Sequence, residues 1–122
     1  MNYEEPIHRI IGGIVHSPAF ADKLPQQREF YNLTPPEYWE LLHAHASAFR
    51  MWKVTYMHTL PSHEAIMDWY RGTGMRPYLQ ALDDAGRKKF EAEVFAQVRE
   101  EYPTQSDGSI ISPSTFLFLA TR

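Results

Sequence analysis

Apolar residues recur along this chain with two different periods, and the switches between them mark its elements. Ile7, Ile10, Ile11, Ile14 and Val15 fall at i, i+3, i+4, i+7 and i+8, the one-sided stripe of a helix. The stripe starts behind Pro6 and closes before Pro18, as a helix entered through proline does. Gly12 and Gly13 weaken it by about 1 kcal/mol each relative to alanine. Residues Pro18 to Leu33 have no clear period and carry Pro25 and the polar run Gln26, Gln27, Arg28, Glu29, which predicts a loop or irregular cover. Thr34-Pro35-Pro36-Glu37 then reads as a helix start: threonine caps, proline suits the first position, and glutamate returns a hydrogen bond in a capping box. Tyr38, Leu41, Leu42, His45 and Phe49 follow on one expected face.

From Arg50 the period becomes two. Trp52, Val54, Tyr56 and His58 alternate with Met51, Lys53, Thr55 and Met57 in a composition that favours a strand. Pro61 breaks it, Ser62 caps a helix expected to turn Ala65, Ile66, Trp69 and Tyr70 inward, and Gly72 and Gly74 end that helix. Pro77 starts a short helical piece through Leu82, and Asp83 or Asp84 caps the next helix. There Phe90, Val94, Val98 and Tyr102 repeat every four residues with Phe95 beside them, and Pro103 stops the run. Asp107-Gly108 marks a turn, after which Ile110 to Thr121 reads as a second strand. The fold class expected is α+β, with helices beside an antiparallel two-stranded ribbon in a single domain over residues 1–122, without internal repeats.

The last strand breaks the alternation. Phe116-Leu117-Phe118-Leu119-Ala120 is apolar at every position, the pattern of a strand covered on both faces and flanked on both edges. The chain offers it one convincing partner, and a two-stranded ribbon by itself is marginal in water. More sheet is therefore required, from another copy of the chain or from a further part of a longer protein.

Composition narrows the function classes. The 122 residues are 43% hydrophobic and 14% aromatic, enough for one ordered domain and unlike a disordered tail. A formal net charge of −3 with scattered basic residues lacks the footprint of a nucleic-acid binder, so no nucleic-acid partner is expected. Without cysteine there is no disulfide framework, thiolate nucleophile or cysteine zinc site. The longest apolar run, Phe116 to Ala120, is far below the roughly 18 residues of a membrane helix, and Met1 to Pro6 carries two glutamates where a signal peptide carries positive charge. A soluble, cytoplasmic protein with no membrane partner is the expectation. Six histidines show no ligand spacing: His43 and His45 diverge on a helix, while His8 and His16 are isolated, so no metal site is expected. Ser62, Ser112 and Ser114 lack a nucleophile elbow.

One stretch is specific. Trp52-Lys53-Val54-Thr55-Tyr56-Met57-His58-Thr59-Leu60-Pro61-Ser62-His63, then Ala65-Ile66-Met67-Asp68-Trp69, then Thr73-Gly74-Met75-Arg76-Pro77-Tyr78-Leu79 resembles the C-terminal part of the trans-aconitate 2-methyltransferase family. The similarity continues through Glu100-Glu101-Tyr102-Pro103 and the final strand, and upstream it follows pattern more than identity. The resemblance implies a Rossmann-like fold of which this chain carries the cap helices and the last two strands, the last strand lying antiparallel inside the complete sheet. It also implies S-adenosylmethionine as methyl donor for the full-length family and a small polycarboxylate as acceptor. The family's glycine-rich cofactor turn and ribose-binding acid have no match here: Gly12-Gly13 lies inside an isoleucine stripe with no strand before it. No cofactor-binding and no catalytic residue is therefore assigned to this chain.

Methyl transfer to a carboxylate needs positioning more than acid or base catalysis, and a polycarboxylate needs cations and hydrogen-bond donors. The cations in the specific stretch are Arg50, Lys53, Arg71 and Arg76. Arg76 matches the family's Gly-x-Arg-Pro pattern; its other reading is a surface pair with a carboxylate such as Asp68. Tyr56 and His58 either donate to substrate carboxylates or line the seam between strand and helix. Tyr78 reads either as pocket or as core, and Trp52 and Trp69 read as core anchors. The substrate-binding set expected is Arg76, Tyr56, His58, Tyr78 and Arg71. Two functions follow: the substrate-capping portion of a methyltransferase, inactive alone, or a standalone noncatalytic module that forms a homodimer through its sheet edge or binds a small molecule.

Overall fold

The order of elements in a computed structural model of the chain is α1 (Pro6–Val15), α2 (Pro35–His45), β1 (Phe49–Leu60), α3 (His63–Arg71), α4 (Arg76–Ala81), α5 (Asp84–Glu101) and β2 (Ile110–Thr121). The structure describes residues 5–25 and 32–122. The acidic N-terminal stretch to Glu4 and the polar run from Gln26 to Glu29 lie outside the described residues. Local chemistry sets the boundaries. Pro6 stands in the first turn of α1. The Glu37 carboxylate accepts from the Thr34 backbone N–H at 2.7 Å, and the Asp83 carboxylate accepts from the Gly86 N–H at 2.7 Å, each meeting a donor that the first helical turn leaves unpaired. A Cβ on Gly86 would lie 2.9 Å from that Asp83 oxygen, so a larger residue there would crowd the cap. Gly108, at φ +87°, makes the turn into β2.

The core is helical. Ile7, Ile10 and Ile14 of α1, Ile66 and Met67 of α3, and Phe90, Val94 and Val98 of α5 are all buried. Phe20 meets the Phe90 ring edge-on with centroids 5.4 Å apart. Tyr102, where α5 ends, ties three helices together: its hydroxyl accepts the Ile7 N–H at 3.2 Å, and its carbonyl accepts from His63 Nε2 at 2.5 Å. Burial pushes the Tyr102 hydroxyl up to about 12.

The ribbon is attached to this core by one end. β1 and β2 pair antiparallel in a two-stranded sheet, from Phe49 opposite Thr121 to Leu60 opposite Ile110. Of the ribbon's side chains Ile110 alone is fully buried, with Leu60 packed beside it. Alternation puts Trp52, Val54, Tyr56, His58, Phe116 and Phe118 on one face and Met51, Lys53, Thr55, Met57, Leu117 and Leu119 on the other. Both remain open, with Phe116 48% and Met57 62% exposed.

Three expectations are corrected by this incompleteness. Trp52 and Trp69 are not core anchors: they are 46% and 52% exposed, because no second layer covers the ribbon face they share. Met67, in place of Trp69, turns inward with Ile66. The face expected on α2 has no fully buried residue, Tyr38 and Leu42 being only half-buried, and Phe49 has left it to open β1, where its ring meets Trp39 at 5.8 Å.

Phe90→Ala is expected to destabilise the fold by about 3–5 kcal/mol in chemical denaturation, as cavity-forming core substitutions do. Tyr102 bears on the alkaline limit of stability. Because its folded-state pKa is raised, the stability linked to it is complete below about pH 10, its value in an unfolded chain, and is lost as pH rises toward about 12. Tyr102→Phe is expected to flatten the fall in stability over that interval while lowering stability at pH 8 by about 1 kcal/mol through the lost Ile7 bond, both read from denaturant midpoints against pH.

Candidate functional site

Aromatic side chains gather on one ribbon face where α3 approaches it. Trp52 stacks on Phe118 across the strands, centroids 5.5 Å apart and planes within 11°, and Tyr56 meets Phe116 at 5.7 Å. His58 lies 6.4 Å from Tyr56 and 5.7 Å from Trp69 of α3. The strand period places Tyr56 and His58 on this face together with Ser114 and Ser112 opposite them, so hydroxyl and imidazole donors line an otherwise apolar surface. Between this face and α3, His58, Trp69, Tyr70, Ser112 and Ser114 enclose about 10 Å³ of open space. That is room for one water at most.

The expected cations separate. Arg71, expected as a substrate contact, is held by carboxylates: Nε donates to Glu91 at 2.7 Å, Nη2 to Glu64 at 2.8 Å, and Nη1 to Asp68. Its pKa is raised further, first by the hydrogen bond to Glu91. This fork pins α3 to α5 and commits three of the five guanidinium N–H donors to carboxylates. Asp68, the carboxylate considered for Arg76, is thereby taken. Arg76 opens α4 after the Gly72–Met75 turn, is exposed, and has no ion pair among the described residues. Tyr78 is 4% exposed and packs on Phe90 at 6.1 Å in the helical core, so its pocket reading is corrected to a core one. Tyr56, His58 and Arg76 remain accessible, the first two adjacent and the third on a separate element.

A wider cleft of about 570 Å³ lies between the segment after α1 and the start of α5, with Lys23, Asp83 and Lys89 on its walls. Sequence reading passed over these lysines because 66 residues separate them and no motif joins them. Gly12 and Gly13 do not form a nucleotide-binding turn. Both lie within α1, and the Gly12 carbonyl accepts from the His16 backbone N–H at 3.2 Å and from its ring Nδ1 at 2.7 Å. Among the described residues no three His, Asp or Glu side chains gather to hold a metal, and no helix is long and apolar enough to cross a membrane.

No family model matches the chain. Curated relatives do. It is 35% identical over 125 residues to a trans-aconitate 2-methyltransferase of Methylobacterium nodulans, covering 99% of this chain and 48% of that protein. The chain is a homologue of trans-aconitate 2-methyltransferases. Proteins of the same name from Klebsiella pneumoniae, at 34% identity over 99% of this chain, and Streptomyces coelicolor, at 37% over 88%, cover it similarly. It spans about half the length of the curated relatives it matches, which fits the resemblance to a C-terminal portion. Among the described residues, five helices with a two-stranded antiparallel sheet make it α+β and fit part of a Rossmann-like methyltransferase.

Replacing Arg71 with methionine keeps the side chain's length and removes its charge. The fork is a half-exposed network, so the expected cost is about 1 kcal/mol, measured by thermal unfolding at low salt. An unchanged melting temperature would show that the fork adds nothing to stability.

Proposed function

We propose that this chain is the substrate-capping portion of an S-adenosylmethionine-dependent methyltransferase that esterifies a carboxylate of a small polycarboxylate such as trans-aconitate. The observation that carries the reading is homology along 99% of the chain to proteins of that name. Its residues do not fit the methyl donor: the paired glycines that could have approached a cofactor are locked inside α1. On this reading the donor is held by the part of the relatives that this chain does not match, and the chain alone is inactive.

What these residues supply is grip on the acceptor. Arg76 offers a guanidinium without an ion pair among the described residues, able to take a carboxylate through two parallel hydrogen bonds. Tyr56 and His58 offer a hydroxyl and a ring N–H from the strand face, and the rings of Trp52 and Trp69 would exclude water around the carbon skeleton. A polycarboxylate has anionic groups enough to engage the arginine with one and the strand donors with another.

The test is methyl transfer to trans-aconitate by the chain joined to a methyltransferase cofactor half. Turnover is expected from the joined protein and none from the chain alone. Arg76→Ala is expected to raise KM for the acid about tenfold or more with a smaller change in kcat, as loss of one charge-assisted contact does. Unchanged KM would return Arg76 to the surface.

A further inference from the structure

Two serines stand where the rest of a strand face is apolar. On the face that β2 turns toward α3 it carries Ile110, Phe116 and Phe118, and between them Ser112 and Ser114. The register sets Ser112 opposite His58 and Ser114 opposite Tyr56. Where α3 covers the ribbon, Leu60, Ile66, Trp69 and Tyr70 wall a crevice of about 10 Å³, and His58, Ser112 and Ser114 line the rest of it. These three are half-buried, and none of their side chains is hydrogen-bonded to a described residue. Thr55 and Thr115, by contrast, pair their hydroxyls across the strands at 2.9 Å. An imidazole nitrogen and two hydroxyls drawn back from bulk solvent lose hydration that a partner must restore. A single water does so in about 10–15 Å³ with two to four polar partners, and the crevice supplies that space and three partners.

We propose that the crevice is the site of one ordered water, and that this water makes Ser112 and Ser114 positioning residues for His58. The second part rests on the methyltransferase reading, in which His58 gives a ring N–H to the acceptor acid. A neutral imidazole has one N–H donor and one acceptor nitrogen. For His58 to present its N–H on the open face, the nitrogen turned to the crevice must be the acceptor, and the hydrogen bond made there decides which nitrogen carries the proton. The water supplies that bond. One of its O–H groups donates to the His58 nitrogen, the other donates to one serine Oγ, and its oxygen accepts the O–H of the other serine. Hydroxyls rotate to suit, so every polar group of the crevice is satisfied. Trp69, its ring 5.7 Å from that of His58, limits the swing of the imidazole from the other side. Without the water the proton divides between the two nitrogens, and for part of the time the acid would meet a lone pair that repels its carboxylate. Alanine at both serine positions would leave the seam as narrow as serine does, so it is the hydroxyls, not the small size, that the site requires.

A high-resolution crystal structure of the chain and nitrogen NMR of His58 at about pH 9, where an imidazole is neutral, test the assignment together. Expected are a water within hydrogen-bond distance of one His58 ring nitrogen and of both serine Oγ atoms, and a proton on the other ring nitrogen. In Ser112→Ala/Ser114→Ala the water is lost and the proton spreads over both nitrogens, while circular dichroism verifies that the helices are retained. A dry crevice, a proton on the nitrogen that faces it, or a proton distribution that ignores the serine substitutions would each overturn the proposal. In the chain joined to a methyltransferase cofactor half, the double substitution is expected to raise KM for trans-aconitate about fivefold, the worth of one hydrogen bond, with kcat little changed. It is expected to add nothing in a His58→Ala background and to multiply the effect of Arg76→Ala. A rise in KM that persists without His58 would overturn the positioning role. Absence of turnover from the joined wild-type protein defeats the functional reading instead, and the water site then stands or falls by diffraction and NMR.

Discussion

A pair of β-strands satisfies backbone hydrogen bonds along one shared edge only, and its side chains leave from two faces that one small helical core cannot both cover. That constraint divides this molecule. The helices α1, α3, α4 and α5 close around Ile7, Ile66, Met75, Phe90 and Val94, and they reach the ribbon where Leu60 and Ile110 meet. From there the strands run outward past Trp69 to Phe49 and Thr121, with Trp52, Tyr56, Met57, Phe116 and Leu119 open to solvent. Folding energy is concentrated in the helices, and surface for recognition in the ribbon. Substitutions should accordingly fall into two groups, one read by denaturation and the other by association.

The elements were legible because each is punctuated by chemistry acting within a few residues. The Asp83 cap, the Ser62 cap, whose hydroxyl accepts from Ala65 N–H at 3.4 Å, and the Asp107-Gly108 turn need no tertiary information. The four-residue repeat from Phe90 to Tyr102 is buried throughout because α5 lies against both α1 and α3 along that stripe. The unbroken apolar run of β2 was legible in a different sense. It announced a demand for cover on both faces, and the structure leaves that demand unmet, with Phe116 and Leu119 open on opposite sides.

The candidate site was less legible, for reasons that differ residue by residue. Trp69 stands three positions after Ile66, a spacing that reads as core, yet the surface it faces is the open ribbon. Arg71 is claimed by Glu64 and Asp68 from its own helix and by Glu91 from α5, and the last of these depends on how two helices pack. Tyr78 follows a family-like Arg-Pro pair, but one turn of α4 rotates its ring onto Phe90. Tyr56 and His58 were placed together correctly because a strand's period of two is rigid, whereas their relation to Arg76 depends on the turn between α3 and α4.

The two proposals are thermodynamically coupled. His58, which would hold the acceptor acid through one ring nitrogen, would hold the crevice water through the other. An acid that binds best when the ring is fixed must strengthen the hold on the water by the same factor by which the water strengthens its binding. Arg76, on α4 and outside the ribbon, is not bound by this rule. Its contribution to acid binding should be largely independent of the water, so the arginine supplies affinity and the strand donors make that affinity conditional on a ring held in one orientation.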